Sequence, residues 1–263
     1  MKVIPFILFL CLPLYSDAME EAQKLRVSGK TMEAINLLKS KQGSLEGEKF
    51  LAKLYLDKGM CNEALQVYGK ICHPMNSHDC VNEKGISQTC LGQYEAAVVS
   101  FQKAISIQEN SATAYSNLAQ VYFLMEDLEK AEETHLKALE ISPYGTISRI
   151  NYGVFLVKTK KYSQAKEVFY SVLAENKSLF YAELYLGVAH YMKNEYNSAL
   201  IHLNRGIALN PEYYDLYYYR ALVYYKKGDY GNSLKDLKMV DKLFPDNEKS
   251  TALRNIIKKN IKI

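Results

Sequence analysis

Hydrophobic and small residues recur along the chain with a step of 34 positions, most regularly from residue 78 onward. One column at this step contains only small residues: Ala97, Ala131, Ala165, Ala199 and Ser233. A second column contains mostly bulkier residues: Phe101, His135, Phe169, Leu203 and Leu237. Several columns that share one long period are typical of a repeat protein, in which each repeat is one supersecondary unit.

Within one period the pattern predicts two amphipathic helices joined by a tight turn. Residues 217–227 and 230–243 carry the two helical stripes, and Gly228-Asp229 between them is a typical turn sequence. Prolines that cannot continue a helix close three of the periods: Pro143, Pro211 and Pro245. One helix pair cannot bury its apolar face alone, whereas stacked pairs can. The pattern therefore predicts an all-α solenoid.

These columns resemble the tetratricopeptide repeat (TPR). In residues 112–145 the positions typical of that family hold Tyr115, Leu118, Ala119, Tyr122, Leu128, Ala131, Ala138 and Pro143. The resemblance covers roughly residues 19–247. It implies about seven repeats, stacked as antiparallel helix pairs in a right-handed superhelix.

The resemblance also divides the chain. The expected segments are a signal peptide at 1–18, a degenerate first repeat at 19–44, further repeats at 45–77, 78–111, 112–145, 146–179, 180–213 and 214–247, and a C-terminal capping helix at 248–263. Asp246 or Asn247 can cap that last helix. Its one apolar stripe consists of Ala252, Leu253, Ile256 and Ile257.

The N-terminus has the three-part layout of a secretory signal peptide. Lys2 is followed by an uncharged apolar run over 3–15 and a short polar stretch, so we expect cleavage after Ala18. A helix of that run would rise about 20 Å, less than the ~30 Å bilayer core. The pattern predicts export, with the bacterial periplasm or cell envelope as the location. An outer-membrane lipoprotein anchored through Cys11 and a buried N-terminal helix are the alternatives.

Composition and motifs disfavour catalysis. The net charge is only +4 over 263 residues, which argues against nucleic acid as a ligand. None of the five histidines lies in an HExxH motif, and the sequence has no GxSxG or phosphate-binding loop. His135 and His190 occupy repeat columns normally held by packing residues, which predicts semi-buried structural histidines. We therefore expect no enzyme activity, no cofactor and no metal.

Four cysteines fall at the ends of two helices that the repeat places side by side and antiparallel. Cys72 should face Cys80 near the connecting loop, and Cys61 should face Cys90 at the far end. In an oxidising compartment this predicts two disulfides, Cys61–Cys90 and Cys72–Cys80. A zinc site that includes the neighbouring histidines, or four small apolar residues, remain the alternatives.

The resemblance implies that the first helix of each repeat lines a concave groove in which a protein or peptide partner lies. The inward positions carried over from the family are Phe123, Leu124, Ile150, Val154, Val157, Tyr181, Leu184, Val188, Tyr191, Met192, Tyr218, Leu222 and Tyr225. Aromatic residues and methionine are enriched at interface cores. Packing of these residues against one another, or against the C-terminal helix, is the alternative.

The expected function is a non-enzymatic interaction scaffold. A membrane-associated envelope-assembly adaptor, similar to repeat lipoproteins of pilus or outer-membrane machinery, is the alternative. Family members that clamp an acidic C-terminus use lysine and asparagine on successive repeats. Here the corresponding stretch carries Asn82, Ile86 and Asn117, while Lys49 and Lys53 lie in the repeat before it, so we do not expect a clamp.

Overall fold

A computed structural model describes residues 11–40 and 44–261. In these residues it contains fifteen α-helices and no β-strand. The helices are α1 (Cys11–Val27), α2 (Thr31–Ser40), α3 (Leu45–Asp57), α4 (Cys61–Met75), α5 (His78–Cys90), α6 (Tyr94–Ile107), α7 (Ala112–Leu124), α8 (Leu128–Ile141), α9 (Thr146–Lys158), α10 (Tyr162–Glu175), α11 (Phe180–Met192), α12 (Tyr196–Leu209), α13 (Tyr214–Lys226), α14 (Tyr230–Leu243) and α15 (Glu248–Ile261). The prediction of an all-α architecture of helix pairs is confirmed.

The turn inside each pair has a backbone position with positive φ. Gly228 has a φ of 75° between α13 and α14, and the Asp229 carboxylate accepts a hydrogen bond from the backbone N–H of Asn232 at 3.1 Å. The equivalent positions, each 34 residues apart, also have positive φ: Gly92, Glu126, Lys160 and Asn194. One backbone turn is therefore repeated with different residues.

Close approach inside a pair explains the columns of small and bulky residues. A methyl group placed on Gly153 would lie 2.6 Å from Cζ of the buried Phe169, and one placed on Gly187 would lie 2.8 Å from Cγ of Leu203. Each glycine thus provides the space that the bulky residue of the second helix fills.

A different contact joins successive pairs. The Leu216 side chain on α13 packs directly against Gly206 on α12, and both residues are buried. The corresponding positions one repeat earlier hold Val172 and Ala182, also buried. Between α12 and α13 the larger residue is Leu216 on the following helix. Between α10 and α11 it is Val172 on the preceding helix.

The chain divides into two compact units, up to Thr134 and from His135 onward. In the first unit a continuous core runs through α2, α3 and α4 and includes Ile35, Leu54 and Tyr68. In the second unit a cluster beside the C-terminal helix contains Ala221, Leu237, Leu253 and Ile257.

The last helix, α15, closes this second core. The Asn247 side-chain oxygen accepts a hydrogen bond from the backbone N–H of Ser250 at 2.9 Å, which is the geometry of an N-cap. Leu253 and Ile257 are buried, whereas Ala252 and Ile256 are exposed, so only half of the expected stripe packs.

The expected signal peptide lies at the start of the chain, where only part of it belongs to the described residues. Residues 1–10 of the expected signal peptide lie outside the described residues. Helix α1 begins at Cys11 and passes through Ala18 and the expected cleavage point, and both Ala18 and Ala22 are buried. Among the helices of the described residues, none combines the length and hydropathy needed to cross a bilayer.

Candidate functional site

The first helices of successive pairs form a shared face in the second unit. α9 contacts α11, and α11 contacts α13, in addition to the contacts of each helix within its own pair. First helices also approach one another in the first unit, where α5 contacts both α3 and α7. The expected groove residues lie on such first helices.

The exposure of these residues separates them into three groups. Exposed are Leu124, Tyr181 and Met192. Half-buried are Phe123, Ile150, Val154, Tyr191, Tyr218, Leu222 and Tyr225. Buried are Val157, Leu184 and Val188. Only the first two groups offer surface to a partner.

The expectation that Leu184, Val188 and Val157 line an open groove is therefore corrected. Leu184 is 1% exposed and Val188 is 3% exposed. The reason is the number of neighbouring helices. α11, which carries Leu184 and Val188, is contacted by α9, α10, α12 and α13, and α9, which carries Val157, is contacted by α10 and α11. These three side chains belong to the core.

Tyrosines dominate the surface that remains. Tyr181 contacts Phe180 and Tyr213, with ring centroids 4.0 and 5.3 Å apart, respectively. Burial raises the pKa of Tyr191, and the nearby hydroxyls of Tyr196, Tyr218 and Tyr225 raise it further. The side chains of α11 and α13 therefore form one aromatic surface. We call Tyr181, Tyr191, Met192, Tyr213, Tyr218 and Tyr225 the tyrosine face.

A carboxylate lies within this aromatic surface. Asp215 is half-buried at the start of α13, and burial raises its pKa, while Lys249, the Tyr213 hydroxyl and Lys158 act in the opposite direction. Burial of the Tyr219 side chain raises its pKa to about 12, and the nearby Asp215 carboxylate contributes to this increase. The tyrosine face thus combines aromatic rings, hydroxyl groups and one negative charge.

The C-terminal helix covers part of the tyrosine face. Tyr218, Leu222 and Tyr225 pack against the core cluster that α15 completes. The Asn260 side-chain amide on α15 also donates a hydrogen bond to the Tyr225 hydroxyl at 3.2 Å. Packing against the last helix therefore accounts for part of the burial of these residues. Tyr181 and Met192 are the most exposed residues of the tyrosine face.

Both expected cysteine pairs are joined. Cys61 and Cys90 have Cα atoms 6.1 Å apart, and Cys72 and Cys80 have Cα atoms 5.3 Å apart, both within the span of a disulfide. The bridge between Cys61 and Cys90 connects the start of α4 to the end of α5, and the bridge between Cys72 and Cys80 lies near the loop that joins these two helices. In the described residues, no group of three or more histidine, cysteine or acidic side chains is arranged to hold a metal ion.

A small polar cavity brings together residues that the sequence placed apart. Lys49, Lys53 and Asn82 line a cavity of about 300 Å³ together with Asp79 and Glu83. Burial raises the pKa of Glu83, and Asp79 lies beside Lys49 at 4.0 Å. The two acids balance the two lysines, so this cavity lacks the positive charge of a clamp for an acidic C-terminus.

His135 and His190 are more deeply buried than expected, and His190 and His202 each contact an acid that sequence reasoning missed. His202 Nδ1 donates a hydrogen bond to the Glu183 carboxylate at 2.6 Å, and His190 pairs with Glu195. The hydroxyl of Tyr170 lies 3.0 Å from His190 Nε2. Glu183 lies on α11 and His202 on α12, 19 positions apart, so no local sequence pattern identified this contact.

Three family models describe parts of this chain. Two of them are described as tetratricopeptide repeat and match residues 112–144 and 193–248, and one described as TPR repeat matches residues 90–126. The segment 112–144 coincides with the pair formed by α7 and α8. The chain contains tetratricopeptide repeats. The resemblance stated from the sequence is confirmed.

Solved TPR structures share this fold. A tetratricopeptide repeat protein from Parabacteroides merdae superposes with a TM-score of 0.71 at 15% identity, over 92% of this chain and 98% of that one. PilW, a type IV pilus biogenesis factor, gives 0.66 at 20% identity, over 70% of this chain and 86% of its own. YrrB, a TPR protein with an unusual peptide-binding site, gives a TM-score of 0.51 at 18% identity, over 72% of this chain and 97% of its own.

Curated relatives match only in part. DnaJ homolog subfamily C member 3 from Gallus gallus is 28% identical over 180 residues, which are 63% of this chain and 36% of that protein. Aspartyl/asparaginyl beta-hydroxylase from Mus musculus is 22% identical over 56% of this chain and 22% of its own length. This TPR chain thus spans about a third or less of the curated relatives it matches.

Proposed function

We propose that this TPR protein is a non-enzymatic scaffold that binds a peptide or helix of a partner protein on the tyrosine face. The observation that carries the proposal is the exposure of large apolar side chains there: Tyr181 is 43% exposed and Met192 is 48% exposed. Contiguous exposed apolar surface is typical of interaction sites, and tyrosine and methionine are enriched at interface cores.

The chemistry of the face supports a peptide with apolar and basic side chains. Tyrosine rings offer apolar area and hydroxyl groups, and the carboxylate of Asp215 attracts a lysine or arginine. YrrB, which has a similar fold, is itself a peptide-binding TPR protein. Nucleic acid is a poor ligand for such a surface, since tyrosine hydroxyls and a carboxylate supply no positive charge for phosphates.

The test separates binding from folding. Tyr181→Ser combined with Met192→Ser should weaken capture of the native partner at least tenfold, because truncating an interface anchor costs about 2 kcal/mol or more. Both positions are exposed, so the melting temperature should stay nearly unchanged. Ile201→Ser is the matched control: it is 51% exposed but lies on a second helix, and it should leave capture intact. Equal loss of capture in the control would refute the tyrosine face as the site.

The location proposed with this function is the cell envelope after export. The support is the charge and hydropathy pattern of residues 1–18. Sequencing the mature N-terminus tests it, and we expect Met19 as the first residue. A lipid-modified Cys11 would instead favour the envelope-assembly adaptor, a role compatible with the fold similarity to the pilus biogenesis factor PilW. A mature chain that starts at Met1 would contradict export by cleavage.

A further inference from the structure

A second cavity lies away from the tyrosine face, on the side of the second helices of the second unit. It has a volume of about 640 Å³ and is bounded by α10, α12 and the first turn of α11. That volume falls within the range that holds a small organic molecule. We call it the α10–α12 cavity.

The walls of the cavity are apolar and its inner end is polar. Leu173, Ala174, Ala208 and Leu209 form the walls. At the inner end Glu183 and His202 are 5% and 6% exposed and bond to each other at 2.6 Å.

This polar end is held in place by further partners. The Tyr170 hydroxyl lies 3.4 Å from His202 Nε2 and 3.0 Å from His190 Nε2, and the two imidazole rings stack with centroids 5.2 Å apart. Beyond His190, Glu195 accepts a hydrogen bond from Lys166 at 2.8 Å. The carboxylate of Glu183 is thus held against His202 at the inner end of the cavity.

Two cations also line the cavity, and neither is neutralised. Lys177 and Arg205 are exposed, and over residues 11–40 and 44–261 no acidic side chain lies within ion-pair distance of either. The cavity thus joins two exposed cations, for which no ion pair is found among the described residues, to four apolar side chains. This combination suits a ligand with an acidic group and a hydrocarbon or aromatic body.

We propose that the α10–α12 cavity binds a small amphipathic organic anion. Its acidic group pairs with Lys177 and Arg205, and its apolar body lies against Leu173 and Leu209. Glu183 and His202 form the polar floor and exclude a second acidic group, because Glu183 carries negative charge next to that end of the cavity. The site is separate from the tyrosine face and does not depend on the proposed scaffold function.

Fluorescence titration of the full chain with anilinonaphthalene sulfonate, an aromatic anion, tests the proposal. We expect saturable binding that Arg205→Gln weakens about tenfold, as loss of a charge-assisted hydrogen bond predicts. Ala208→Trp should abolish it by filling the cavity, at little cost to folding because Ala208 is exposed. The matched control Lys238→Gln removes an exposed cation on α14 and should change nothing.

Competition identifies the class of ligand. Decanoate should displace the fluorescent anion, whereas decyltrimethylammonium, with the same chain and the opposite charge, should not. If Ala208→Trp binds the fluorescent anion as well as the unchanged protein does, the cavity is not the site and the proposal is wrong. If both competitors displace it equally, the cavity selects apolar bodies without regard to charge, and the assignment to anions is overturned.

Discussion

Lys160 adopts a backbone conformation that glycine adopts at the equivalent position of the last repeat. Its φ is 64°, against 75° for Gly228. The left-handed conformation costs a residue with a Cβ about 1–2 kcal/mol. Ordering a glycine costs about 0.5–1 kcal/mol in chain entropy. Lys160→Gly should therefore stabilise the protein by about 0.5–1 kcal/mol and raise the melting temperature by about 2 °C. Gly228→Lys is the reciprocal control and should lower it. An unchanged or lower melting temperature for Lys160→Gly would contradict the assigned turn.

The contact between Gly153 and Phe169 gives a second prediction. Gly153→Ala places a methyl group 2.6 Å from a buried ring, so it should destabilise the protein by about 1–3 kcal/mol through overpacking. Gly231→Ala is the matched control, because its methyl group would find no heavy atom closer than 3.9 Å. In the Gly231→Ala variant the higher helix propensity of alanine should stabilise the protein by about 0.5–1 kcal/mol. Chemical denaturation of both variants measures the difference, and equal effects would argue against the helix crossing.

His190 predicts how stability depends on pH. Burial lowers its pKa, outweighing the opposing effect of Glu195; Lys166 and His202 also lower it. Because the folded pKa lies below the unfolded value of about 6.5, the unfolded chain binds the proton first as pH falls. Stability should therefore decrease between about pH 7 and the folded pKa. His190→Gln should flatten this part of a melting-temperature profile, and an unchanged slope would remove His190 as the cause.

At the scale of helices, the two bridges between α4 and α5 make the next prediction. Peptide mapping without reductant should find Cys61 linked to Cys90 and Cys72 linked to Cys80. The loops differ in length, with sequence separations of 29 and 8. Chain entropy therefore predicts that replacing the Cys61–Cys90 pair by serine costs about 1 kcal/mol more than replacing the other pair. Scrambled linkages, or the reverse order of stability, would contradict this antiparallel arrangement.

The helix pairs could be predicted from the sequence because a fixed period ties every turn to its neighbours. Gly228 identified one turn, and the 34-residue step located Lys160 and Glu126 in equivalent turns although neither residue favours that conformation. The helical conformation of residues 11–18 could not be predicted in this way, because these residues precede the first expected repeat.

Much less of the candidate site could be predicted. The family positions gave Tyr181, Met192 and Leu184 the same expected role, whereas Tyr181 and Met192 are exposed and Leu184 is buried. Its burial depends on how many helices surround α11, which is a property of the assembled stack. The partners of His202 were missed for a related reason: Glu183 lies on another helix, and no local spacing connects the two.

At the scale of the whole molecule, the repeats are alike in backbone but not in the joints between them. Gly206 receives Leu216 in the last joint, whereas Val172 and Ala182 hold the equivalent positions one repeat earlier. The order of the repeats is thus encoded in side-chain volume. A permuted chain in which residues 180–213 precede 146–179 would bring Val172 against Leu216 and overfill that joint. Such a shuffled protein should unfold at lower temperature than the natural order, even though every repeat is retained.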